Sequence, residues 1–513
     1  MKQVSLIYIG LYSQDIEHLG LASIAAFLRS KGIEVQLVHA DISERLDVIW
    51  EKMNQNADFY GFSIYATNAK KVFAISDMLK EKRDNCIVFY GSQFASAAKG
   101  LIFDDNLSVD YIILGDGELP VYELVSHEEQ GGGVLARPYI LHRSSKSDGT
   151  EFNRDIKDMV IPSRDFIKEC KENLYYTANI ATSRGCYGNC SFCSSRIEKN
   201  VRWQGRDMKD VYDEIKMIYE EHGIRSFMFV DASFEDPVGY GKERISEFLE
   251  YILQDDIRYH FWCYLRADAF KPEDKKLVEN MRKAGFTQVF VGIESYNESD
   301  LRLYNKRANL KANDEIMTLL RECDIGANIG FIMFNPYSTP EGLKDNYRYL
   351  LRNRNYYLGN YTSQIVVRYN TALHKKLYDK KLLSDDFSYL NEMGYCYVDS
   401  QVSECVEFIN EYIERSPISL EERGFSSFDR YYFTCKALFP EEIQDYCAGY
   451  DSIQYNLAES MGQYFHHLFV EQNIDKSKEQ FPDFEKEMMS IYSDYKKYRI
   501  KFYRKFLSYM KNY

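Results

Sequence analysis

The sequence predicts an α/β protein with three parts: an N-terminal doubly wound (Rossmann-like) sheet, a (β/α)6 partial TIM barrel, and a mainly helical C-terminal domain. Three observations predict this fold class. Short apolar runs alternate with helical patterns up to about residue 125, a second alternating series starts near residue 177, and glycine becomes sparse after residue 371. Alternating strands and helices favour a parallel sheet with right-handed crossovers, which binds ligands at the carboxyl ends of its strands.

Five apolar runs in the N-terminal part have the length and composition of strands. They cover residues 4–9, 34–38, 59–64, 86–90 and 111–114, and segments 19–31 and 69–83 between them have helical spacing. Glycines such as Gly91 and Gly115 follow the later strands. A glycine lets the backbone approach a ligand closely, although tight turns explain these glycines about as well.

Six further strand candidates indicate the barrel, whose chemistry is expected at the carboxyl ends of the strands. They are residues 177–183, 226–231, 259–265, 287–293, 327–333 and 361–367. Glycines at 131–133 and a polar stretch at 144–150 indicate a linker. The predicted boundaries are 1–140 for the N-terminal domain, 141–175 for the linker, 176–370 for the barrel and 371–513 for the helical domain.

Composition excludes several classes of protein. With 64 basic and 78 acidic residues the net charge is -14, which disfavours a general nucleic-acid binder. No apolar run is long enough to span a membrane. Eleven cysteines in a chain of this length favour a reducing compartment over a disulfide framework. We therefore expect a cytoplasmic protein with no nucleic-acid partner and no membrane span.

Three cysteines are the most informative residues. Cys186, Cys190 and Cys193 form a C-x3-C-x2-C pattern directly after the strand at 177–183. Thiolates select zinc or iron-sulfur clusters, and a structural zinc needs a fourth ligand that is not close in sequence. A cluster held by three thiolates keeps one iron open to a further ligand. Incidental thiols, or a zinc site completed by a distant residue, remain alternatives.

The cysteine loop, with Phe192 before its last cysteine, resembles the cluster loop of the radical SAM superfamily. Other segments resemble the subclass that carries an N-terminal cobalamin-binding domain, and the resemblance covers about residues 1–370. These segments are 19–21 (LGL), 115–118 (GDGE), 229–234 (FVDASF), 263–268 (CYLRAD) and 292–295 (GIES), with Leu301, Asn305 and Lys306.

The resemblance implies three cofactors: a [4Fe-4S] cluster, S-adenosylmethionine (SAM) and cobalamin. It implies that Cys186, Cys190 and Cys193 ligate the cluster, and that the open iron chelates SAM. One electron, supplied by a reductant such as flavodoxin or ferredoxin, then cleaves SAM to a 5'-deoxyadenosyl radical. This radical abstracts hydrogen from an unactivated carbon, which is chemistry that the cofactors carry and no side chain performs.

The resemblance also implies roles for individual residues, each with a solvated loop residue or an internal ion pair as the alternative. Phe192 is expected near the SAM adenine, and Glu294 and Ser295 near the ribose. Charge-assisted hydrogen bonds to the amino and carboxylate groups of SAM are expected from the loops after two other strands. Those residues are Asp231, Ser233 and Arg266, and the expected cobalamin-binding residues are Ser63, Gly91 and Gly115.

The loop after the first strand departs from the cobalamin-domain pattern. Many such domains place a histidine under the cobalt through D-x-H-x-x-G, whereas residues 15–20 here read Asp-Ile-Glu-His-Leu-Gly. The spacing differs, and many members of the subclass bind cobalamin without histidine. We therefore expect His18 to be an ordinary surface or helix-start residue.

Three functions follow. The leading hypothesis is C-methylation of an unactivated carbon in a peptide or small natural-product precursor. The alternative within the superfamily is a cyclisation, epimerisation, cross-link or rearrangement without methyl transfer. A hypothesis of another class is a metal-stabilised binding module, such as a cobalamin-responsive regulator, which needs a fourth metal ligand.

The C-terminal region is rich in tyrosine, and we expect it to cap the barrel mouth and select the substrate. Residues 493–513 interleave seven basic residues with aromatics, which predicts a terminal helix with its aromatics packed inward. Binding of an acidic peptide, RNA or a membrane surface is the alternative. Four cysteines in this region are expected to be buried small apolar residues rather than cluster ligands. They are Cys396, Cys405, Cys435 and Cys447.

Overall fold

The computed structural model describes residues 2–10, 17–129, 133–135, 137–144, 149–169, 177–196, 203–235, 237 and 242–511. The strands are β1 (Gln3–Gly10), β2 (Glu34–Asp41), β3 (Phe59–Ser63), β4 (Ile87–Gly91), β5 (Tyr111–Ile113), β6 (Ile140–His142), β7 (Ala178–Ile180), β8 (Ser183–Arg184), β9 (Gln204–Gly205), β10 (Ser226–Phe229), β11 (His260–Trp262), β12 (Tyr264–Arg266), β13 (Gln288–Glu294) and β14 (Gly326–Phe331).

The helices of the first two parts are α1 (Leu19–Ser30), α2 (Leu46–Lys52), α3 (Ala69–Lys82), α4 (Gln93–Ala98), α5 (Leu101–Asp105), α6 (Glu118–Glu129), α7 (Asp165–Glu169), α8 (Met208–His222), α9 (Glu243–Gln254), α10 (Lys275–Ala284), α11 (Glu298–Leu303), α12 (Leu310–Glu322), α13 (Pro340–Arg352) and α14 (Gly359–Thr362). The remaining helices are α15 (Ala372–Asp379), α16 (Ser400–Phe408), α17 (Pro417–Leu438), α18 (Gln444–Phe469) and α19 (Ile474–Lys511). Short 3-10 turns lie at Ile156–Asp158, Ser194–Arg196 and Pro272–Asp274, and a π-helical turn lies at Ile409–Ile413.

The N-terminal sheet has the strand order β2-β1-β3-β4-β5-β6. Strands β1 to β5 are parallel, which confirms the five predicted strands, and the unpredicted β6 runs antiparallel to β5. Because helices cover both faces, a strand such as β1 is apolar on both sides, and Leu6, Ile7 and Ile9 are all fully buried. Strand order reverses between β1 and β3, the position at which such sheets bind ligands.

The barrel consists of two three-stranded parallel groups, β7-β10-β11 and β12-β13-β14. They join at Cys263, whose carbonyl accepts a 2.9 Å hydrogen bond from the Phe290 amide. The predicted strand at 361–367 is wrong as a full strand, because α14 occupies its first two residues. Only Gln364 pairs with the barrel, through a single parallel bridge to Phe334.

Helix α8 illustrates how the sequence defines the barrel helices. Asp207 caps its amino end by accepting from the Lys209 amide at 2.8 Å, and Gly223 ends it in the left-handed region at φ +74°. Val211, Ile215 and Ile218 follow at helical spacing and are fully buried against the barrel. The other barrel helices bury one face in the same way.

Helix α17 packs on the amino end of the barrel and α18 packs against α13, so the prediction that this region as a whole caps the mouth is wrong. Thr287 Oγ1 donates to the Phe433 carbonyl of α17 at 2.7 Å, and Gln288 Nε2 donates to Asp429 at 2.6 Å. Gln288 is the first residue of β13, and strands of a parallel barrel present their first residues at the face opposite the mouth. Among the described residues, the strap, which we define as residues 363–399, reaches the mouth, where the Leu373 amide donates to the Ser191 carbonyl.

The terminal helix confirms the inward packing of its aromatics. Tyr492, Tyr495, Phe502 and Phe506 are buried. Cys405 and Cys435 are buried as expected, whereas Cys447 is half-buried and Cys396 is exposed. None of the described helices combines the length and apolarity that a membrane crossing requires.

The predicted linker is more ordered than its composition suggests. Strand β6 and helix α7 lie within or overlap residues 141–175. Of the polar and glycine-rich stretches that indicated it, residues 131–132 and 145–148 lie outside the described residues.

Candidate functional site

The cysteine loop begins directly after β8, at the mouth of the barrel. Its thiols are free and half-buried, and those of Cys186 and Cys190 converge over Gly188. A Cβ built on Gly188 would lie 3.3 Å from Cys186 Sγ and 4.0 Å from Cys190 Sγ. Backbone amides point at two sulfurs: Gly188 N lies 3.3 Å from Cys186 Sγ, and Ser195 N lies 3.4 Å from Cys193 Sγ. Such donors stabilise sulfur that carries negative charge.

Burial raises the pKa of the Cys186 and Cys190 thiols. Opposing this, the Arg266 guanidinium lowers the pKa of Cys186, and the Lys306 ammonium lowers that of Cys190. Metal ligation deprotonates thiols, and these cations favour the deprotonated form. Among the described residues no three His, Cys, Asp or Glu side chains already surround one point as in a closed metal site.

A four-residue segment after β13 holds the cysteine loop in place. The Ser191 amide donates to the Tyr304 carbonyl at 2.8 Å, and the Ser191 hydroxyl donates to the Leu303 carbonyl at 2.7 Å. Asn305 Nδ2 donates to the Asn189 carbonyl at 2.7 Å. We call residues 303–306 the clamp. Sequence reasoning singled out Asn305 and Lys306 only by resemblance and missed these contacts.

Phe192 lies inside the loop, where its ring meets the Tyr304 ring edge-on at 5.5 Å. It packs against an apolar cluster that includes Ile332 and Ile365 and remains half-exposed. The ring therefore has one face on the protein and part of its surface at the mouth.

Arg266 lies beside the loop. Its Nε and Nη2 donate to Asp268 at 2.8 and 2.7 Å, and its guanidinium lies 4.5 Å from the centre of the Tyr187 ring. A Cβ on Gly188 would lie 2.8 Å from Arg266 Nη1. The Asp268 carboxylate and the face of the Tyr187 ring thus hold the Arg266 guanidinium next to the thiols.

Ser233 contacts a buried acid that sequence reasoning missed. Its hydroxyl donates to Glu235 Oε1 at 2.5 Å, and Glu235 Oε1 lies 3.6 Å from Arg266 Nε. Burial raises the pKa of Glu235 to about 7. The signal available in the sequence was the position of Glu235 two residues after Ser233, in the same loop at the end of a strand.

The Asp231 carboxylate accepts hydrogen bonds from residues of the turn that precedes the cysteine loop. Its two oxygens accept from the amide and hydroxyl of Thr182 at 2.8 and 2.9 Å, and from those of Ser183 at 2.5 and 3.0 Å. It thereby fixes the turn that leads into the cysteine loop. This geometry makes Asp231 a positioning residue.

Glu294 and Ser295 end the same strand but have opposite surroundings. Glu294 has a left-handed backbone, at φ +67°, and its Oε1 lies 3.3 Å from the buried Lys306 Nζ. Lys306 Nζ also donates to the Gly292 carbonyl at 3.0 Å. Ser295 is fully buried behind the strand, with its hydroxyl 2.9 Å from both Asp300 and Asn346. Glu294 therefore faces the mouth region, and Ser295 supports the strand end.

His18 is a helix-start residue, as expected. Its Nδ1 accepts from the Leu21 amide at 3.1 Å, and its Nε2 lies 2.8 Å from the Ser63 hydroxyl and 3.3 Å from the Tyr65 hydroxyl. Burial lowers the pKa of His18 to about 4, so the ring is neutral. Ser63 thus contacts this histidine directly.

Packing within the chain explains one of the two glycines of the N-terminal site. Gly115 has φ +79°, and a Cβ there would collide with the backbone of Phe152. A Cβ on Gly91 would make an ordinary 3.7 Å contact with Ile113. Of the two interpretations of these glycines, the tight-turn one applies to Gly115.

A large cleft of ≈ 940 Å³ joins the two halves of the site. One wall is the carboxyl edge of the N-terminal sheet, including Ser96 and Gly115. The other wall is the barrel mouth, including Gly185 and Ser195 of the cysteine loop and Asp231. Arg184 crosses between the walls by pairing with Asp116 and Glu118. The cleft can hold one large ligand against both walls or two ligands in contact.

Two known families match these two halves. The B12 binding domain family matches residues 6–125, and the Radical SAM superfamily matches residues 180–350. The chain combines a B12 binding domain with a radical SAM domain. Its N-terminal domain puts it in the subclass that binds cobalamin, and this confirms the predicted cofactors of the radical SAM enzyme: a [4Fe-4S] cluster, SAM and cobalamin.

Individual relatives of this radical SAM enzyme are distant. It is 25% identical to the hopanoid C-3 methylase of Methylococcus capsulatus over 62% of the chain and 61% of that protein. It is 26% identical to the anaerobic magnesium-protoporphyrin IX monomethyl ester cyclase of Synechocystis over 61% of the chain and 63% of that protein. The match thus spans about three fifths of the length of these curated relatives.

Solved structures confirm the predicted fold class. The cobalamin-dependent SAM radical enzyme OxsB, with aqua-cobalamin and SAM bound, superposes with a TM-score of 0.71 at 17% identity. The superposition covers 99% of this chain and 80% of OxsB. The likeness therefore extends through the strap and the C-terminal helices, beyond the two matched families.

The residues of this chain fit the cofactors. Three free thiols, with amide donors and two cations beside them, are a donor set for an iron-sulfur cluster that keeps an open iron. Among the described residues none forms a preassembled site with a fourth ligand, and Cys263 is fully buried between β11 and β12. Cys170 lies outside the described residues. The cleft places the cysteine loop and the carboxyl edge of the N-terminal sheet on two facing walls, where SAM and cobalamin would lie next to each other.

Proposed function

We propose that this enzyme methylates an unactivated carbon of a peptide or small natural-product precursor. When bound, the cluster, SAM and cobalamin supply the radical and the methyl group. The observation that carries the proposal is the single cleft that has the cysteine loop on one wall and the cobalamin-type sheet edge on the other. Hopanoid C-3 methylase, a relative over 62% of the chain, is named for the same type of reaction.

The residues of the chain have distinct tasks in this proposal. Cys186, Cys190 and Cys193 hold the cluster. Arg266, beside the thiols, offers its guanidinium to the SAM carboxylate, and Glu294 offers its carboxylate to a hydroxyl or amino group of SAM. The half-exposed ring of Phe192 packs against the adenine.

The other predicted residues support this arrangement. Asp231 holds the turn before the loop, Ser233 orients Glu235 beside Arg266, and Ser295 supports the end of β13. Ser63, Gly91 and Gly115 shape the edge that faces cobalamin. We propose the boundaries 1–140, 141–175, 176–370 and 371–513 for the N-terminal domain, linker, barrel and C-terminal domain.

We further propose that the enzyme works in the cytoplasm with a one-electron reductant such as flavodoxin or ferredoxin. The described cysteines are all free thiols, which suits a reducing compartment. No nucleic-acid partner is expected, because the chain carries a net charge of -14.

A cyclisation or rearrangement without methyl transfer is the second candidate. The observation that favours it is the similarity to a cyclase, at about the same level of identity as the methylase. Both candidates use the same three cysteines and the same cleft, so they differ in products and not in the residues that bind the cofactors.

The test uses the anaerobically reconstituted enzyme with SAM, reductant and hydroxocobalamin. We expect four irons per chain, 5'-deoxyadenosine, and S-adenosylhomocysteine that forms only when cobalamin is present. Cys190→Ala should lose the cluster and both products, whereas Cys447→Ala, a half-buried cysteine outside the loop, should keep them.

The products separate the candidates. 5'-Deoxyadenosine without S-adenosylhomocysteine favours cyclisation or rearrangement. Unchanged 5'-deoxyadenosine in Cys190→Ala would refute the cluster assignment, and zinc in place of iron would refute both candidates.

A further inference from the structure

A second cavity lies beside the large cleft. Its volume is ≈ 380 Å³, within the range of small-molecule sites, and it shares Gln93 and Ser194 with the cleft. It lies at the edge where strand order reverses, between the N-terminal sheet and the strap. Its walls include four aromatic residues, Tyr8, Tyr65, Phe94 and Tyr369.

Arg368 of the strap lines this cavity, and its side chain is 46% exposed. Its Nη1 donates to Glu392, whose carboxylate is buried. Among the described residues the guanidinium makes no other hydrogen bond. A guanidinium carries five N–H donors and remains charged at any physiological pH, so most of its donors have no acceptor among the described residues.

Glu392 holds Arg368 in this position. Glu392 Oε1 also accepts from the Tyr369 amide at 3.2 Å, and the Glu392 carbonyl accepts from the Val367 amide at 3.0 Å. The carboxylate is thus committed to the strap and is not an open partner in the cavity. No further charged side chain among the described residues lines the cavity.

We propose that Arg368 binds a phosphate or carboxylate group in this cavity. A planar fork of N–H donors matches the oxygens of either anion, and the aromatic walls suit the rest of the ligand. Two molecules can bring such a group. One is cobalamin, through the phosphate of its nucleotide tail. The other is an anionic substrate, and this second possibility rests on the proposed function.

The experiment measures binding rather than turnover. Affinities of the purified chain for hydroxocobalamin, for cobinamide, which lacks the nucleotide and its phosphate, and for phenyl phosphate are determined by calorimetry. The variants are Arg368→Ala and the double variant Arg368→Gln with Glu392→Gln, which leaves no unpaired charge. The control is Arg348→Ala, which removes an exposed arginine of α13 that does not line the cavity.

We expect loss of Arg368 to weaken the binding of one of the anionic probes by about tenfold or more, as for the loss of a hydrogen bond to a charged group. If the variants bind hydroxocobalamin more weakly and cobinamide with unchanged affinity, the site binds the nucleotide phosphate. If the variants bind phenyl phosphate more weakly and hydroxocobalamin with unchanged affinity, the site binds the substrate. The proposal is overturned if both variants bind all three probes as tightly as Arg348→Ala does.

The proposed function can fail separately. A chain that forms no cluster, or cleaves no SAM, contradicts the proposed reaction and leaves the phenyl phosphate measurement readable. Normal SAM cleavage together with unchanged binding of all three probes contradicts only the role of Arg368.

Discussion

Arg184 Nη1 donates to the Asp116 carboxylate at 2.9 Å, and its Nη2 donates to Glu118 at 2.8 Å. Arg184 ends β8, two residues before the first cysteine of the loop, and Asp116 follows β5 of the N-terminal sheet. Asp116 also accepts from the Arg154 amide at 2.9 Å. One charged cluster therefore connects the cysteine loop to the edge expected to hold cobalamin. The GDGE segment, singled out as a cobalamin-domain feature, has this connecting role.

Replacing Arg184 by Ala should loosen the cysteine loop. Its side chain is 23% exposed, and the substitution leaves Asp116 and Glu118 without their cation. Losing hydrogen bonds to partly buried charges costs about 1.5 to 3 kcal/mol. We expect amide exchange of residues 183–190 to accelerate by about tenfold or more, as measured by mass spectrometry. Exchange within α8 should stay unchanged.

The matched control is Arg302→Ala, which removes an arginine from an exposed pair with Glu298. Such pairs contribute about 0 to 1 kcal/mol, so little change is expected. If amide exchange in the cysteine loop is as slow in Arg184→Ala as in Arg302→Ala, the charged group of Arg184, Asp116 and Glu118 does not connect the two domains.

The clamp should control how firmly the cluster is retained. Ser191→Ala removes the hydroxyl bond to Leu303, and Asn305→Ala removes the side-chain bond to Asn189. Each bond is worth about 1 kcal/mol, so we expect the double variant to lose its cluster absorbance in air at least about fivefold faster than wild type. Iron and sulfide analysis and absorption spectra measure this.

Asn309→Ala is the control for the clamp. Asn309 caps α12 by accepting from the Ala312 amide, and among the described residues no hydrogen bond joins its side chain to the cysteine loop. The substitution should therefore lower helix stability without affecting the iron-sulfur cluster. Equal cluster lifetimes in the clamp variant and in Asn309→Ala would show that the loop does not need these bonds.

Much of the fold could be predicted because its signals are local. Apolar runs and helical spacing identify strands and helices one at a time, and the cysteine spacing lies within eight residues. The orientation of Asp231 and Ser295 could not be predicted, because it depends on partners such as Thr182 and Asn346 that are distant in sequence. A residue at a strand end faces either the mouth or the strand behind it, and spacing does not distinguish the two.

The placement of the C-terminal helices could not be predicted for the same reason. Tyrosine enrichment indicated a packed aromatic region but not which end of the barrel it covers. The deciding contacts, such as Gln288 with Asp429, join residues 141 positions apart. The mouth is instead approached by the strap, where the Leu373 amide donates to the Ser191 carbonyl at 2.8 Å.

The same C-terminal packing creates a group that titrates near neutral pH. Glu422 of α17 accepts from the Tyr492 hydroxyl at 2.8 Å and from the Leu358 amide at 2.9 Å. Neither partner carries a positive charge, and burial raises the pKa of Glu422 from 4.5 to about 7. A raised carboxyl pKa stabilises the fold fully below the unfolded value of 4.5, and this contribution is lost as the pH rises through 7.

Glu422→Gln should therefore leave the melting temperature almost unchanged at pH 5 and raise it by about 2 to 6 °C at pH 8. Glutamine resembles the protonated acid, so the variant avoids burying a charge at high pH. Scanning calorimetry at the two pH values measures the difference from wild type. Glu421→Gln is the control, because Glu421 pairs with Lys496 at 2.6 Å and its loss should not stabilise the fold at either pH. A Glu422→Gln variant no more stable than wild type at pH 8 would mean that Glu422 is ionised in the fold without a penalty, with its charge held by the Tyr492 hydroxyl and the Leu358 amide.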